Sequence, residues 1–215
     1  MSVFAPTFEQ LPRTIPVFPL PEVLLLTRGR LPLNIFEPRY LAMVEDALAA
    51  DRMIGMIQPL QANGADAAPD LYKTGCAGRI CRFEETSDGR YLISLSGVCR
   101  FTVVEELAAV SGYRRVDADW SEFRDDLEAE PDMRLDRDRL LSSLRGYFGA
   151  HGIEADWDAL REAPAERLVT CLSMICPFAA SEKQALLEAR DLPARTQVLM
   201  ALVEMGTAAC GPLRQ

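Results

Sequence analysis

Prolines at positions 16, 19, 21, 32 and 38 interrupt the apolar stretch that runs from Ile15 to Tyr40, IPVFPLPEVLLLTRGRLPLNIFEPRY. Each proline lacks a backbone donor and holds φ near the extended or first-turn value, so the chain here is confined to short extended pieces that end or reach a sheet edge at the prolines. This predicts a small, bent β structure. Val23 to Leu26 and Leu31 to Ile35 flank Thr27-Arg28-Gly29-Arg30, a spacing that predicts a hairpin turning at the glycine. Glu37 precedes Pro38, and a proline suited to the first helical position with a carboxylate at the positive end of the dipole predicts a helix beginning at Pro38. Tyr40, Leu41, Val44 and Leu48 give that helix an apolar stripe, and Met53 to Gln58 resumes as a strand.

The remainder separates into a β half and a helical half. Arg79–Phe83, Tyr91–Leu95, Val98–Val104 and Tyr113–Ala118 are β-compatible, with turns at Asp88-Gly89 and Ser111-Gly112. Leu135–Phe148, Asp156–Arg161, Pro164–Ile175, Ser181–Arg190 and Pro193–Met205 carry apolar residues at three-and-four spacing. Ser181 with Gln184 reads as a capping box, and Pro164 and Pro193 fit first-turn positions. Charge divides the chain in the same place. Residues 1–116 hold 12 basic and 13 acidic side chains and residues 117–215 hold 11 and 19, so almost all of the net −9 belongs to the second part. Its densest run, Glu122 to Asp132 around Pro131, reads as a solvated joint. The expected organisation is a mainly β subdomain over 1–120, an acidic linker over 121–133 and a helical bundle over 134–215.

The order of strand, turn, LPLNIFEPRY, helix and apolar strand resembles the amino-terminal substrate-binding domain of the Lon protease family, including stand-alone bacterial proteins of that type. The resemblance continues through Thr74-Gly75-Cys76-Ala77-Gly78-Arg79-Ile80, the Ser87-Asp88-Gly89-Arg90 turn and Leu95 to Phe101, and ends with Glu182–Glu188 and Asp191–Arg195. It covers about Arg13 to Gly206. Thr27 stands where the family pattern has a proline, and the loop from Gln61 to Asp70 matches nothing in particular. The resemblance implies an α+β fold: a PUA-like twisted, partly closed β-sheet subdomain followed by a C-terminal α-helical bundle.

Catalytic chemistry finds little support. A phosphate-cradling loop needs Gly-Lys followed by Ser or Thr, yet Lys73 follows Tyr72 and Lys183 follows Glu182, and these are the chain's two lysines. The same two lysines offer no glycine-flanked serine partner for a Ser-Lys peptidase dyad. A non-enzymatic chain without cofactor or metal is therefore expected. His151, the sole histidine, sits in a Gly149-Ala150-His151-Gly152 stretch read as a solvated connection after a helix. Cys76 and Cys81 are five apart, as are Cys171 and Cys176, and positions i and i+5 diverge on a strand and on a helix alike. Buried thiols fit better than zinc ligands, and a reducing cytosol disfavours disulfides. With 49% apolar residues, no apolar run long enough to span a bilayer and no basic-then-apolar leader, a cytoplasmic location without membrane attachment is expected.

What remains is binding. The resemblance implies a module that captures unfolded or flexible polypeptide, working with a separate protease or chaperone, through an apolar groove or open sheet edge. Leu33, Phe36, Tyr40, Tyr91 and Phe101 are the candidate lining residues; each also fits core packing. The alternative, an RNA-binding PUA-like protein, would draw on Arg79, Arg82, Arg90, Arg100, Arg114 and Arg115 against an acidic overall charge. Glu37 and Arg39 read as helix-start support and an ion pair. Oligomeric state stays open, since an amphipathic helix packs equally well within one chain or between two.

Overall fold

A computed structural model of the chain describes residues 6–60, 69–128, 133 and 135–209. Cys210 and the Glu130–Asp132 end of the acidic run lie outside these described residues. The chain divides into two compact units, Met1–Ala129 and Glu130–Gln215.

The first unit contains β1 (Thr14–Pro19), β2 (Arg30–Ile35), α1 (Pro38–Ala49), β3 (Met53–Ile57), β4 (Thr74–Glu85), β5 (Tyr91–Val110) and β6 (Tyr113–Asp119). Short 3-10 segments occupy Phe8–Gln10 and Ser121–Leu127. The strands pair in the order β2-β5-β4-β3-β1-β6, and β6 pairs again with β5, so five of the six close into a ring. Closure depends on the length of β5. Its residues from Tyr91 to Ser96 pair with β2, those from Tyr91 to Thr102 pair with β4, and those from Thr102 to Val110 pair with β6. β1 and β3 run parallel; the other pairs are antiparallel.

Two expectations change here. Val23 to Leu26 does not form a hairpin with β2; it is outside the strands, and β2 pairs with β5 instead, from Arg30↔Ser96 to Ile35↔Tyr91. The physical reason is burial. Leu24, Leu25 and Leu26 are all buried in succession, whereas a half-solvated hairpin strand would expose every second side chain. The turn is made by Arg28 in the left-handed region (φ 61) rather than by Gly29, and Arg28 N–H donates to the Gly97 carbonyl at 2.9 Å while Gly97 N–H donates to Gly29 at 2.9 Å. Second, the expected strands on either side of Gly97 are one strand, β5. Gly97 does not end it because the Leu26 carbonyl lies directly over its α-carbon: a Cβ there would sit 2.0 Å from that oxygen. A glycine in a strand interior marks this kind of close approach.

The helix at Pro38 forms as expected, with Glu37 in the N-cap position and the proline in the first turn. Its buried face is Tyr40, Met43, Val44 and Ala47, so the stripe is rotated from the expected one and Leu41 and Leu48 are half-buried. The barrel interior is built on Phe101, with Ile15, Val17, Met53, Ile57, Ala77, Cys99, Val116 and Trp120 around it. Phe101 and Trp120 meet edge to face at 5.6 Å. A Cβ at Gly75 would lie 2.4 Å from the Phe101 ring, so that glycine makes room for the aromatic side chain.

The acidic run also departs from a solvated joint. Ser121–Leu127 is a 3-10 segment that packs Phe123 into the core and buries Asp126 against Arg100. Asp126 accepts from Arg100 Nη2 at 2.8 Å and from the Arg100 backbone N–H at 2.9 Å, and the guanidinium carbon lies 4.5 Å from the Phe123 ring centre. Burial alone would depress the Arg100 pKa, but hydrogen bonding and charge from Asp126 outweigh it and raise it.

The second unit is helical: α2 (Arg137–His151), α3 (Trp157–Glu162), α4 (Ala165–Ile175), α5 (Ala180–Glu188) and α6 (Leu192–Ala209). Asp136 caps α2 by accepting from Arg139 N–H, and Asp156 caps α3 by accepting from Asp158 and Ala159. The expected box of Ser181 with Gln184 is displaced toward the N-terminus: Glu182 accepts from Ala179 N–H at 2.8 Å, because α5 starts at Ala180. His151 closes α2 rather than following it, since Gly152 (φ 64) is the first residue to leave helical geometry. Three other helices end without such a glycine, and cations from other parts of the bundle occupy their last carbonyls. Arg137 donates to Leu160, Arg161 and Ala163 at the end of α3, Lys183 Nζ to Met174 in α4, and Arg195 Nε to Leu186 in α5. A positive charge at a helix C-terminus opposes the macrodipole and satisfies orphan oxygens.

Opposite signs are expected for two Gly→Ala changes. Gly97→Ala forces the Leu26 backbone away and lowers unfolding free energy by about 3 kcal/mol or more. Gly149→Ala, on an exposed face of α2 with open space around the new methyl group, raises it by about 0.5–1 kcal/mol. Breaking the buried pair with Arg100→Met costs about 3–5 kcal/mol, and the added change Asp126→Leu recovers a large part of it. Urea unfolding of the variants measures all three effects.

Candidate functional site

Beyond the ring, β2, the first part of β5 and the last part of β4 form a three-stranded ribbon. Among the described residues β2 pairs with β5 alone, and β4 has no β3 partner past Arg79, so the ribbon has two open edges. Register assigns its faces. Leu33, Ile93 and Phe83 form one cross-strand row and Ile35, Tyr91 and Glu85 the next. The opposite face carries Pro32, Ser94 and Arg82, then Asn34, Leu92 and Glu84. The ribbon displays apolar groups to solvent: Phe83 is 42% exposed, Leu92 38%, and Phe36, one residue past β2, 63%. Leu60 and Val104 are the other large exposed apolar residues described in the first unit.

The five expected lining residues separate. Leu33 and Tyr91 are half-buried on one ribbon face, and Phe36 is exposed beside it in sequence. Tyr91 meets Phe83 edge to face at 5.0 Å and donates its hydroxyl to Glu45 at 2.7 Å. That hydrogen bond to a carboxylate raises the Tyr91 pKa. Tyr40 is buried, 4.1 Å from Phe18 between ring centres, with the Arg39 guanidinium over its ring. Phe101 is fully buried in the barrel. Neither Tyr40 nor Phe101 presents a ring to solvent. Phe83 and Leu92 escaped the sequence reading because charged neighbours surround Phe83 and an alternating strand does not say which of its faces is covered. The available signal was the pattern Arg82-Phe83-Glu84, an apolar residue among charges on an edge strand.

The arginines considered for nucleic acid are engaged within the protein. Arg82 pairs with Glu84 at 2.9 Å, Arg90 with Asp88 at 2.6 Å, and Arg100 is buried on Asp126. Arg114 donates to Glu106 and to the Pro69 carbonyl, and Arg115 to the Ala108 carbonyl. Arg79 is half-buried and also has an interaction partner. Hydrogen bonds from Arg90 and Thr86 hold the Asp88 carboxyl down at about 2, so this turn keeps its charge pair throughout the neutral range. Glu37 and Arg39 form their expected ion pair at 2.7 Å.

The other candidate chemical groups have structural surroundings. Cys76 is buried and Cys81 exposed; Cys171 is exposed and Cys176 buried, as divergence at five-residue spacing requires. Burial pushes the Cys99 and Cys176 thiols up to about 12. His151 stacks on Tyr147 at 4.1 Å, and its Nδ1 lies 2.9 Å from the Tyr147 carbonyl. Lys183 is buried at the α4 terminus. Among the described residues no three His, Cys, Asp or Glu side chains are grouped to hold a metal, and no helix is long and apolar enough to cross a membrane.

A family model described as the ATP-dependent protease La (LON) substrate-binding domain matches residues 14–204, most of the chain. The chain belongs to this family. Among relatives, Lon protease 2 of Myxococcus xanthus is 26% identical over 199 residues, covering 91% of this chain and 24% of that protein. Lon protease of Anaeromyxobacter dehalogenans is 29% identical over 199 residues, covering 91% and 23%. The chain thus spans about a quarter of the length of these Lon proteases. Solved structures agree on the fold. A Lon N-terminal domain protein from Xanthomonas campestris matches with TM-score 0.62 at 24% identity, covering 87% of this chain and 97% of that one. The N-terminal domain of a Mycobacterium avium complex Lon protease matches with TM-score 0.59 at 15% identity, covering 88% and 97%. A mixed α+β architecture, sheet first and helices after, is therefore the Lon N-terminal fold.

Thiol accessibility gives a check on this arrangement. In the native protein at mildly alkaline pH, Cys81 and Cys171 are expected to react with iodoacetamide at ordinary thiol rates, and Cys76, Cys99 and Cys176 at least about a hundredfold more slowly. Peptide mapping after timed labelling measures this. An unusually fast residue at any of the five would reopen nucleophilic chemistry.

Proposed function

We propose that this chain is a non-catalytic module that binds flexible or unfolded polypeptide, with the β2–β5–β4 ribbon as its binding face. The observation that carries the reading is a ribbon with an open β2 edge that leaves Phe83 exposed beside half-buried Leu33 and Tyr91 on one face, Leu92 exposed on the other, and Phe36 exposed just past β2. An apolar surface next to an unpaired strand suits an extended segment, which gains main-chain hydrogen bonds along the edge and buries alternate side chains on the faces. Membership of the substrate-binding family supports polypeptide as the ligand class. Delivery of the captured segment to a protease or chaperone is the partner relation this reading entails. The engagement of Arg82, Arg90, Arg100 and Arg114 by carboxylates weighs against an RNA backbone, which needs uncommitted positive charge.

The test is a titration against one reporter protein in unfolded and native forms, with single-stranded RNA in parallel. Saturable binding to the unfolded form alone is expected. The double change Phe83→Ser with Leu92→Ser should weaken it about tenfold or more while the chain stays folded, at a cost in stability of about 1–3 kcal/mol because both side chains are partly covered. Phe101→Ala should instead lose about 3–5 kcal/mol of stability, as a buried core residue. Absence of binding to unfolded polypeptide, or salt-sensitive binding to RNA in its place, would overturn the proposal.

A further inference from the structure

The ribbon face that carries Leu33, Phe83 and Tyr91 is bordered by two carboxylates. Strand register sets Glu85 opposite Tyr91, so the two side chains share that face. Glu45 of α1 also reaches the tyrosine, accepting its hydroxyl proton at 2.7 Å. Both acids are exposed, and among the described residues neither has a basic side chain within ion-pair distance. Neighbouring cations are matched elsewhere. Arg82 is on the opposite face with Glu84, Arg90 is in the hairpin turn with Asp88, and Arg39 is on Glu37. The face where Phe83 is exposed beside half-buried Tyr91 and Leu33 thus has negative charge without a basic partner at its rim.

We infer that this face, if it binds polypeptide as proposed above, selects segments in which an apolar or aromatic residue is accompanied by lysine or arginine, and disfavours segments rich in aspartate and glutamate. The chemistry is complementary at both ends of a basic side chain. Its methylene stem covers apolar surface beside Phe83 and Tyr91 while its charged head reaches Glu45 or Glu85. A cation near Tyr91 also meets the negative face of the ring. Charges at the rim of a binding surface act chiefly on partner choice and association rate, so the expected effect is selectivity rather than high affinity. An acidic segment would bring like charge against two carboxylates that have no basic partner among the described residues.

The experiment uses the full chain and three labelled peptides that share the same Phe and Leu residues and differ only in having Lys, Ser or Glu at two neighbouring positions. Fluorescence anisotropy at low salt should rank them Lys, Ser, Glu, with about a three- to tenfold difference in Kd between the Lys and Glu peptides. Raising salt toward molar concentration, where screening acts over about 3 Å, should nearly remove the difference. The double variant Glu45→Gln with Glu85→Gln keeps a hydrogen-bond acceptor for Tyr91 and removes both charges, and should also collapse it. Glu154→Gln, an exposed acid of the second unit, should leave it unchanged. Equal binding of all three peptides would overturn the charge selection while leaving polypeptide binding intact. A difference that persists in the double variant would overturn its assignment to Glu45 and Glu85. Failure of every peptide to bind, with the unfolded reporter also unbound, would instead remove the underlying reading and this inference with it.

Discussion

The first unit depends on one strand serving three neighbours. β5 is paired with β2 and β4 near its start and with β6 near its end, and that transfer of partners along its length is what closes the ring. A flat strand could not do it. Register shifts between Ala77 and Gly78, between Ile80 and Arg82, and between Val103 and Glu105 bend the ladders, since each extra residue adds local twist. Gly97 lies in the middle of this path, and its missing side chain lets the Leu26 carbonyl approach within a distance no Cβ would tolerate. The buried Leu24–Leu26 segment and the continuity of β5 past Gly97 both depend on this close backbone contact.

The same length creates the candidate site. Where β5 extends beyond the ring, its flanking strands β2 and β4 have outer edges without a partner among the described residues. Open edges invite unwanted pairing, and the sequence shows two familiar protections: Pro32 on β2, and Arg82, Glu84 and Glu85 on β4. Phe83 and Leu92 remain exposed among those protections. Protection of an edge does not call for an exposed Phe, and the exposed part of Phe83 is what the proposed binding role draws on.

Much of this architecture was legible in the sequence because it is encoded locally. Pro38 sets the start of α1, Asp88-Gly89 and Ser111-Gly112 make tight turns, and the helical periodicities identify the five helices of the second unit. The misplaced features are those decided by distant partners. Val23 to Leu26 has the composition of a strand, but its cover comes from Gly97 and the barrel, which no local pattern reveals. Phe101 lies on an alternating strand, and only ring closure turns its face into the interior. Asp126 lies in an acidic run whose composition suggests solvent, yet Arg100 draws it into the core. Of the ribbon residues in the proposed binding face, Leu33, Phe36 and Tyr91 stand out in the sequence by their apolar or aromatic character, while Phe83 and Leu92 are placed there only by the register.

The strength of binding such a face can supply also bears on its role. Phe36, Phe83 and Leu92 are already partly covered, so each contributes less than the about 1.5–3 kcal/mol of a fully buried large side chain. Ordering a flexible segment removes about 2–5 kcal/mol of whatever is gained. A segment bound as proposed would therefore be held weakly and released quickly, and a folded protein that hides its apolar residues and keeps its backbone paired has little to offer the same face. A surface of this kind discriminates by the exposure of its ligand rather than by a fixed sequence. Weak capture with fast release is also what transfer to a second protein requires, because a tightly held segment could not be passed on. On the proposed reading, the open ribbon distinguishes unfolded from folded chains, and its acidic rim chooses among the segments that are unfolded.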